Sequence, residues 1–153
     1  MIKIAEDFTS YTGSVRIREF KNGQLSSAYN IKNQGTDEFF NFLRDCVAGK
    51  SDIFNRVPFL LKVSGLSGTV PAVQFSDTKL SDKKIIYTFL ISGINYSGFT
   101  FNKLELCSAS GIKYAETTIG AEVTISENSN VYIEWALVFD NLPTTTNTSQ
   151  GGN

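Results

Sequence analysis

At 153 residues and 16.9 kDa the chain is long enough for one compact domain with its own core and too short for two ordinary ones. Apolar residues at 41% and charged residues at 19% mark it as globular, and 14 basic against 15 acidic side chains leave a net charge of -1, so no long-range field draws nucleic acid or an anionic membrane. Histidine is absent, which removes the Ser-His-Asp and Cys-His nucleophile systems, the usual zinc sets and the commonest general base, and makes a binding or structural role the better expectation.

The chain begins Met1-Ile2-Lys3-Ile4-Ala5-Glu6-Asp7-Phe8, with acid where an export signal would need a continuous apolar stretch. Gly13 to Phe20 then alternate, Val15 and Ile17 on one face and Arg16 and Arg18 on the other, the period of a half-buried strand. Asn22-Gly23 follows, a pair in which both residues tolerate positive φ, and it predicts a hairpin with Gln24 to Ile31 returning antiparallel. The period changes at Thr36. Asp37 and Glu38 lead a run in which Phe39, Phe40, Phe42, Leu43, Cys46 and Val47 recur at helical spacing, and Gly49 stands where a left-handed terminator belongs. The spacing predicts a helix over 36–49 with a wide aromatic stripe, laid across the open face or end of a sheet.

Period 2 returns after Arg56-Val57-Pro58. Phe59 to Val63 reads as a short strand, Ser64 to Thr69 as a turn, and Val70 to Phe75 as an edge strand because it contains Pro71. Lys84 to Ser92 carries apolar residues on both faces and reads as a central strand buried on both sides. Gly93 to Gly98 reads as a loop, followed by strands over Lys103 to Ser108, Lys113 to Ile119, Ala121 to Ile125 and Val131 to Phe139. The last places Val131, Ile133, Trp135, Leu137 and Phe139 on one face, which belongs in deep core. About nine strands and one short helix at this spacing predict a mainly β fold, an antiparallel β-sandwich over 1–143, and the polar residues 144–153 read as a flexible tail with nothing to bury. The apolar-rich runs Ile85 to Ile91 and Val131 to Phe139 fall far short of the ~20 residues of a spanning helix.

Candidate chemistry is sparse. Glu105, Glu122, Glu127 and Glu134 are the carboxylates on or near strands, and each reads first as an outward or turn residue, Glu134 having parity opposite to the core face. Glu127-Asn128-Ser129-Asn130 supplies too few ligands for calcium, and Gly65-Leu66-Ser67-Gly68 precedes no helix that would make it a phosphate loop. Cys46 and Cys107 form no CxxC site and read as two free core thiols, a disulfide between them being left open. Arg16, Arg18 and Lys21, and again Lys79, Lys83 and Lys84, are small basic groups that solubilise a face or guard an edge strand. The expectation is no enzyme activity, no metal, no cofactor, no nucleic acid and no membrane partner. What remains is an interaction surface, for which Tyr96, Phe99 and Phe101 with Arg16 and Arg18 are the candidates, the aromatics offering stacking area to a protein or a carbohydrate.

Three stretches carry a resemblance. They are Asn33-Gln34-Gly35-Thr36 leading into Phe39 to Gly49, then Arg56-Val57-Pro58, then Val131 to Asn141 with its Trp135. In this order the chain resembles small β-sandwich virion proteins of tailed bacteriophages, the kind that decorate capsids or sit in tails. The resemblance implies a non-enzymatic structural protein present in many copies, assembled into the virion in the host cytoplasm. Its implied partners are the major capsid protein, other virion proteins or copies of itself, with a tail or neck subunit as the alternative within the resemblance; the aromatics Tyr96, Phe99 and Phe101 and the Asn-rich surface leave a carbohydrate-binding module as the alternative outside it.

Overall fold

The computed structural model describes residues 10–33, 35–66, 68–74 and 77–140. The expected tail over 144–153 and residues 1–9 therefore lie outside the described residues. Alternation in the sequence becomes two packed antiparallel sheets. The first holds β1 (Ser10–Lys21), β2 (Gln24–Asn33), β5 (Asp77–Ser81), β6 (Lys84–Ser92) and β9 (Ser129–Asp140) in the order β2-β1-β9-β6-β5. The second holds β3 (Pro58–Gly65), β4 (Gly68–Gln74), β7 (Thr100–Ser108) and β8 (Lys113–Thr124) in the order β4-β3-β7-β8. All the pairings are antiparallel, so the fold is a mainly β, sandwich-like protein with short helices.

The core follows from parity. Val131, Ile133, Trp135 and Leu137 of β9 are all buried, and they meet Val15 and Ile17 of β1, Phe89 and Ile91 of β6, and Leu61, Val63, Leu104 and Leu106 from the facing sheet. The expected β1–β2 hairpin is present, with Asn22 at φ 51° and Gly23 at φ 77°, the double positive φ that suits the twist of two-residue hairpins.

Several expectations need correction. The central strand is β9 rather than β6, and β6 is buried on one side: Tyr87, Phe89 and Ile91 face the core, whereas Leu90 on the other face is 38% exposed. Apolar residues on both faces do not require both faces to be covered, because part of any sheet's solvent face is apolar. Lys113 to Ile119 and Ala121 to Ile125 are not two strands but one, β8, whose register against β7 is interrupted between Phe101 and Lys103. No alternation in the sequence marks the strand over Asp77–Ser81, since its five residues are mostly polar. It forms the margin of a sheet one strand wider than its partner, so Leu80 is 78% exposed although it pairs with the inward-facing Ile85. The segment read as a loop over 93–98 contains a short helix, α2 (Gly93–Tyr96).

The aromatic helix α1 (Asp37–Val47) lies at one end of the sandwich. Thr36 fixes it there by three bonds: its hydroxyl accepts from the Phe39 N–H at 3.3 Å and donates to the Lys113 carbonyl at 2.9 Å, and its own N–H reaches the Tyr114 carbonyl at 2.8 Å. Asp37 and Glu38 in the first turn and Arg44 in the last complement the helix dipole, and Gly49 at φ 68° releases the chain. Phe39 and Phe42 then pack on Tyr114 of β8 with ring centroids 5.6 and 5.3 Å away, plugging that end of the core.

Candidate interaction surfaces

At the helix end a charged cluster anchors the segment that follows α1. Asp45 is buried, and its carboxylate accepts from Arg56 at 2.8 Å and from Arg44 at 3.0 and 2.9 Å, with Lys50 at 3.8 Å. The Arg56 hydrogen bond, more than burial opposes, holds the Asp45 carboxyl below the usual carboxylate range, and the same bond raises Arg56. Arg56 also lies over the Phe42 ring at 5.9 Å, and its carbonyl accepts from the Tyr114 hydroxyl. One carboxylate thus ties α1, the 3-10 turn Ile53–Asn55 and the start of β3 to the aromatic plug.

That base presents apolar side chains to solvent. Phe54 is 88% exposed and Val47 92%, with Phe40 and Val57 also exposed at this end. Phe54, Asn55, Val57, Phe59, Ala109 and Ser110 enclose an open hollow of about 590 Å3. Periodicity assigns Phe54 to no element, and a phenylalanine set among Ser51, Asp52 and Asn55 with no periodic partner is a usable signal of a ring without a place in the core.

The outer face of the five-stranded sheet carries the second surface. Arg16 and Glu134 are direct cross-strand partners, and Arg16 donates Nε at 2.8 Å and Nη2 at 2.5 Å to Glu134 Oε2, while Arg18 Nη2 reaches Oε1 at 2.8 Å. Both predicted arginines are therefore brought together on one carboxylate. Arg18 in turn lies over the Phe20 ring at 5.8 Å, and Phe20 meets Tyr132 edge-on at 5.6 Å. A hollow of about 350 Å3 opens between Arg18, Phe20, Gly23, Asn130 and Tyr132. Phe20 and Tyr132 were not singled out from sequence, because their meeting depends on β1 pairing with β9, across most of the chain.

The predicted aromatic trio lies elsewhere and is only partly a surface. Phe101 has no exposed area and is a core residue, which removes it from the predicted interaction surface. Its strand parity places it with Leu104 and Leu106 across the bulge, and Gly65 lets the neighbouring backbone approach so closely that an added Cβ would sit 2.5 Å from the Phe101 Cα. Tyr96 and Phe99 are half-buried and packed against the core at the end opposite α1.

Of the other candidate carboxylates, Glu105 and Glu122 are engaged on surfaces, and Glu127 is an exposed turn residue. Glu105 and Glu116 alternate with Lys103 and Lys113 on the four-stranded sheet, at 3.0 Å for Lys103–Glu105 and 2.6 Å for Lys113–Glu116. Hydrogen bonds within this group raise both lysines and lower Glu116. Glu122 accepts from Asn102 at 3.0 Å. Cys46 and Cys107 are both free thiols, and burial pushes each of them up. Among the described residues no three His, Cys, Asp or Glu side chains gather as a metal would require, and no helix is long and apolar enough to cross a membrane. No family model, no curated protein and no solved structure matches the chain.

Proposed function

We propose that the chain is a non-enzymatic structural protein of a tailed-bacteriophage virion, a capsid auxiliary or decoration subunit that docks on the shell through its helix end. The observation that carries this reading is the exposure of Phe54 and Val47, at 88% and 92%, on a base fixed by the Asp45 cluster. Apolar side chains grouped at one end of a domain mark an interaction site, and covering them yields ~25 cal/mol for each Å2 removed from water. Because Arg56 and Tyr114 hold the segment in place beforehand, little ordering entropy opposes docking. The resemblance to small virion sandwiches supplies the kind of partner, the capsid shell.

The test is to count copies of the chain in purified particles by quantitative mass spectrometry and then to ask whether Phe54→Asp still joins them. Hundreds of copies support a shell lattice, whereas roughly six to a few dozen move the protein to the tail or neck, whose rings are closed assemblies of few subunits. Phe54→Asp is expected to abolish incorporation while leaving stability within about 0.5 kcal/mol, since the ring is already in water. A chain missing from the particles overturns the reading.

A further inference from the structure

We propose that the hollow lined by Arg18, Phe20, Gly23, Asn130 and Tyr132 is a subsite for an acidic pyranose, a sugar ring bearing a carboxylate. The site is distinct from the helix-end surface and lies on the outer face of the five-stranded sheet, at the end where β1 turns into β2. Its walls have the three properties such a ligand needs. Phe20 and Tyr132 stand edge to face at 5.6 Å and are half-buried, so ring area is offered to the C–H face of a pyranose by side chains that already hold one another in place. Asn130 adds an exposed amide, a donor and an acceptor together, suited to a ligand whose hydroxyls are both.

The charge of the site selects the acid. Arg16 and Arg18 share the single carboxylate of Glu134, which leaves one net positive charge beside the hollow. Arg18 is one third exposed and pinned twice, by Glu134 at 2.8 Å and by the Phe20 ring, so its guanidinium is ordered before a ligand arrives. The rim is equally fixed: the Asn22 N–H donates to the Asn128 carbonyl at 3.1 Å, locking the hairpin tip to the turn before Asn130, and Gly23 keeps a side chain out of the opening. A neutral sugar would use the rings and leave the charge unmatched. An apolar peptide would use the rings and strand the arginine and the amide.

The experiment is an amide and guanidinium NMR titration of the full chain with trigalacturonate, using maltotriose as the uncharged counterpart. Trigalacturonate is expected to shift the Arg18 Nε–H and the amides of Phe20, Gly23 and Tyr132, to bind more tightly than maltotriose, and to weaken as salt rises. Tyr132→Ala and Arg18→Gln are each expected to weaken binding about tenfold or more. Arg16 stays on Glu134 in Arg18→Gln, so that variant keeps the carboxylate paired, and an unchanged thermal midpoint confirms that it folds. Phe54→Asp, at the other end, leaves sugar binding intact, so failure here and failure of shell docking are separate results. The proposal is overturned if neither sugar shifts these signals, if maltotriose binds as well as trigalacturonate, or if folded Arg18→Gln binds like the parent.

Discussion

The two ends of the sandwich are closed by different physics. At the helix end the closure is made by side chains: Phe39 and Phe42 stacked on Tyr114, and Asp45 gathering Arg44 and Arg56. At the opposite end Tyr96 and Phe99 also pack on the core, but close backbone contacts and one buried hydroxyl hold the closure together. The Gly98 N–H donates to the Ile125 carbonyl at 2.7 Å, the Ile125 N–H to the Phe99 carbonyl at 2.9 Å, and the Ser129 hydroxyl bridges Ser126 N–H and C=O at 2.9 Å each. A closure made by side chains yields gradually to truncation and titration, whereas one made by backbone contact fails when a single methyl group is added.

The largest expected effect breaks the backbone end. A Cβ at Gly93 would lie 2.0 Å from the Ser126 carbonyl oxygen and 2.4 Å from that of Ser129, and neither atom belongs to a side chain that can swing away. Gly93→Ala is expected to cost more than about 4 kcal/mol, read as a fall in the urea midpoint. Gly120→Ala is the matched control, because its Cβ would meet nothing within 4 Å, and its midpoint is expected to stay within about 1 kcal/mol of the parent. Equal loss from the two substitutions would refute the closure by close backbone contact.

The next effect removes one ring from the other end. Phe42 is 6% exposed and stacked on Tyr114, so Phe42→Ala is expected to cost about 3–4 kcal/mol and to loosen α1 before the sheets. Hydrogen exchange locates the damage: protection should fall first at the α1 amides and persist in β9 and β1. Uniform loss of protection across both sheets would show that the plug is part of the core rather than a cover over its end.

How much of this was legible in the sequence depends on the range of the interactions. The β1–β2 hairpin, the capped helix and the buried face of β9 are local patterns, set by Asn22-Gly23, by Thr36 with Gly49, and by alternation through Trp135, and all three appear where the sequence puts them. The strand Asp77–Ser81 carries a single apolar side chain, Leu80, and that residue is exposed, so no alternation marked it. The surfaces were the least legible part. Arg16 and Arg18 share a face by parity, but Glu134, Phe20 and Tyr132 join them only through the β1–β9 pairing. Phe101 reads as part of an aromatic loop, whereas β7 begins at Thr100 and the irregularity between Phe101 and Lys103 breaks the alternation, so that Phe101 and Leu104 both face the core.

The smallest effect sharpens the comparison because it is reversible. Asp45 titrates below the usual carboxylate range on account of Arg56 and Arg44, so the folded state binds its proton less readily than the unfolded chain does. Its contribution to stability is therefore complete above the unfolded value of about 3.9 and is lost as pH falls through the lower folded value. Asp45→Asn should lower the urea midpoint at about pH 6 by less than Phe42→Ala does, and the gap between parent and variant should narrow as pH drops toward about 3 and below. Other carboxylates, Glu116 among them, also titrate in this window, but they are common to both proteins and cancel in the difference. Salt separates the buried carboxylate from the surface pairs. The Lys113–Glu116 pair is 41% and 46% exposed and is screened by added salt, whereas Asp45 is 4% exposed and its gap should persist. A gap that stays the same from about pH 6 to below 3 would mean that Asp45 holds the helix end by shape alone, and its charge would drop out of the account of how Phe54 is held in place.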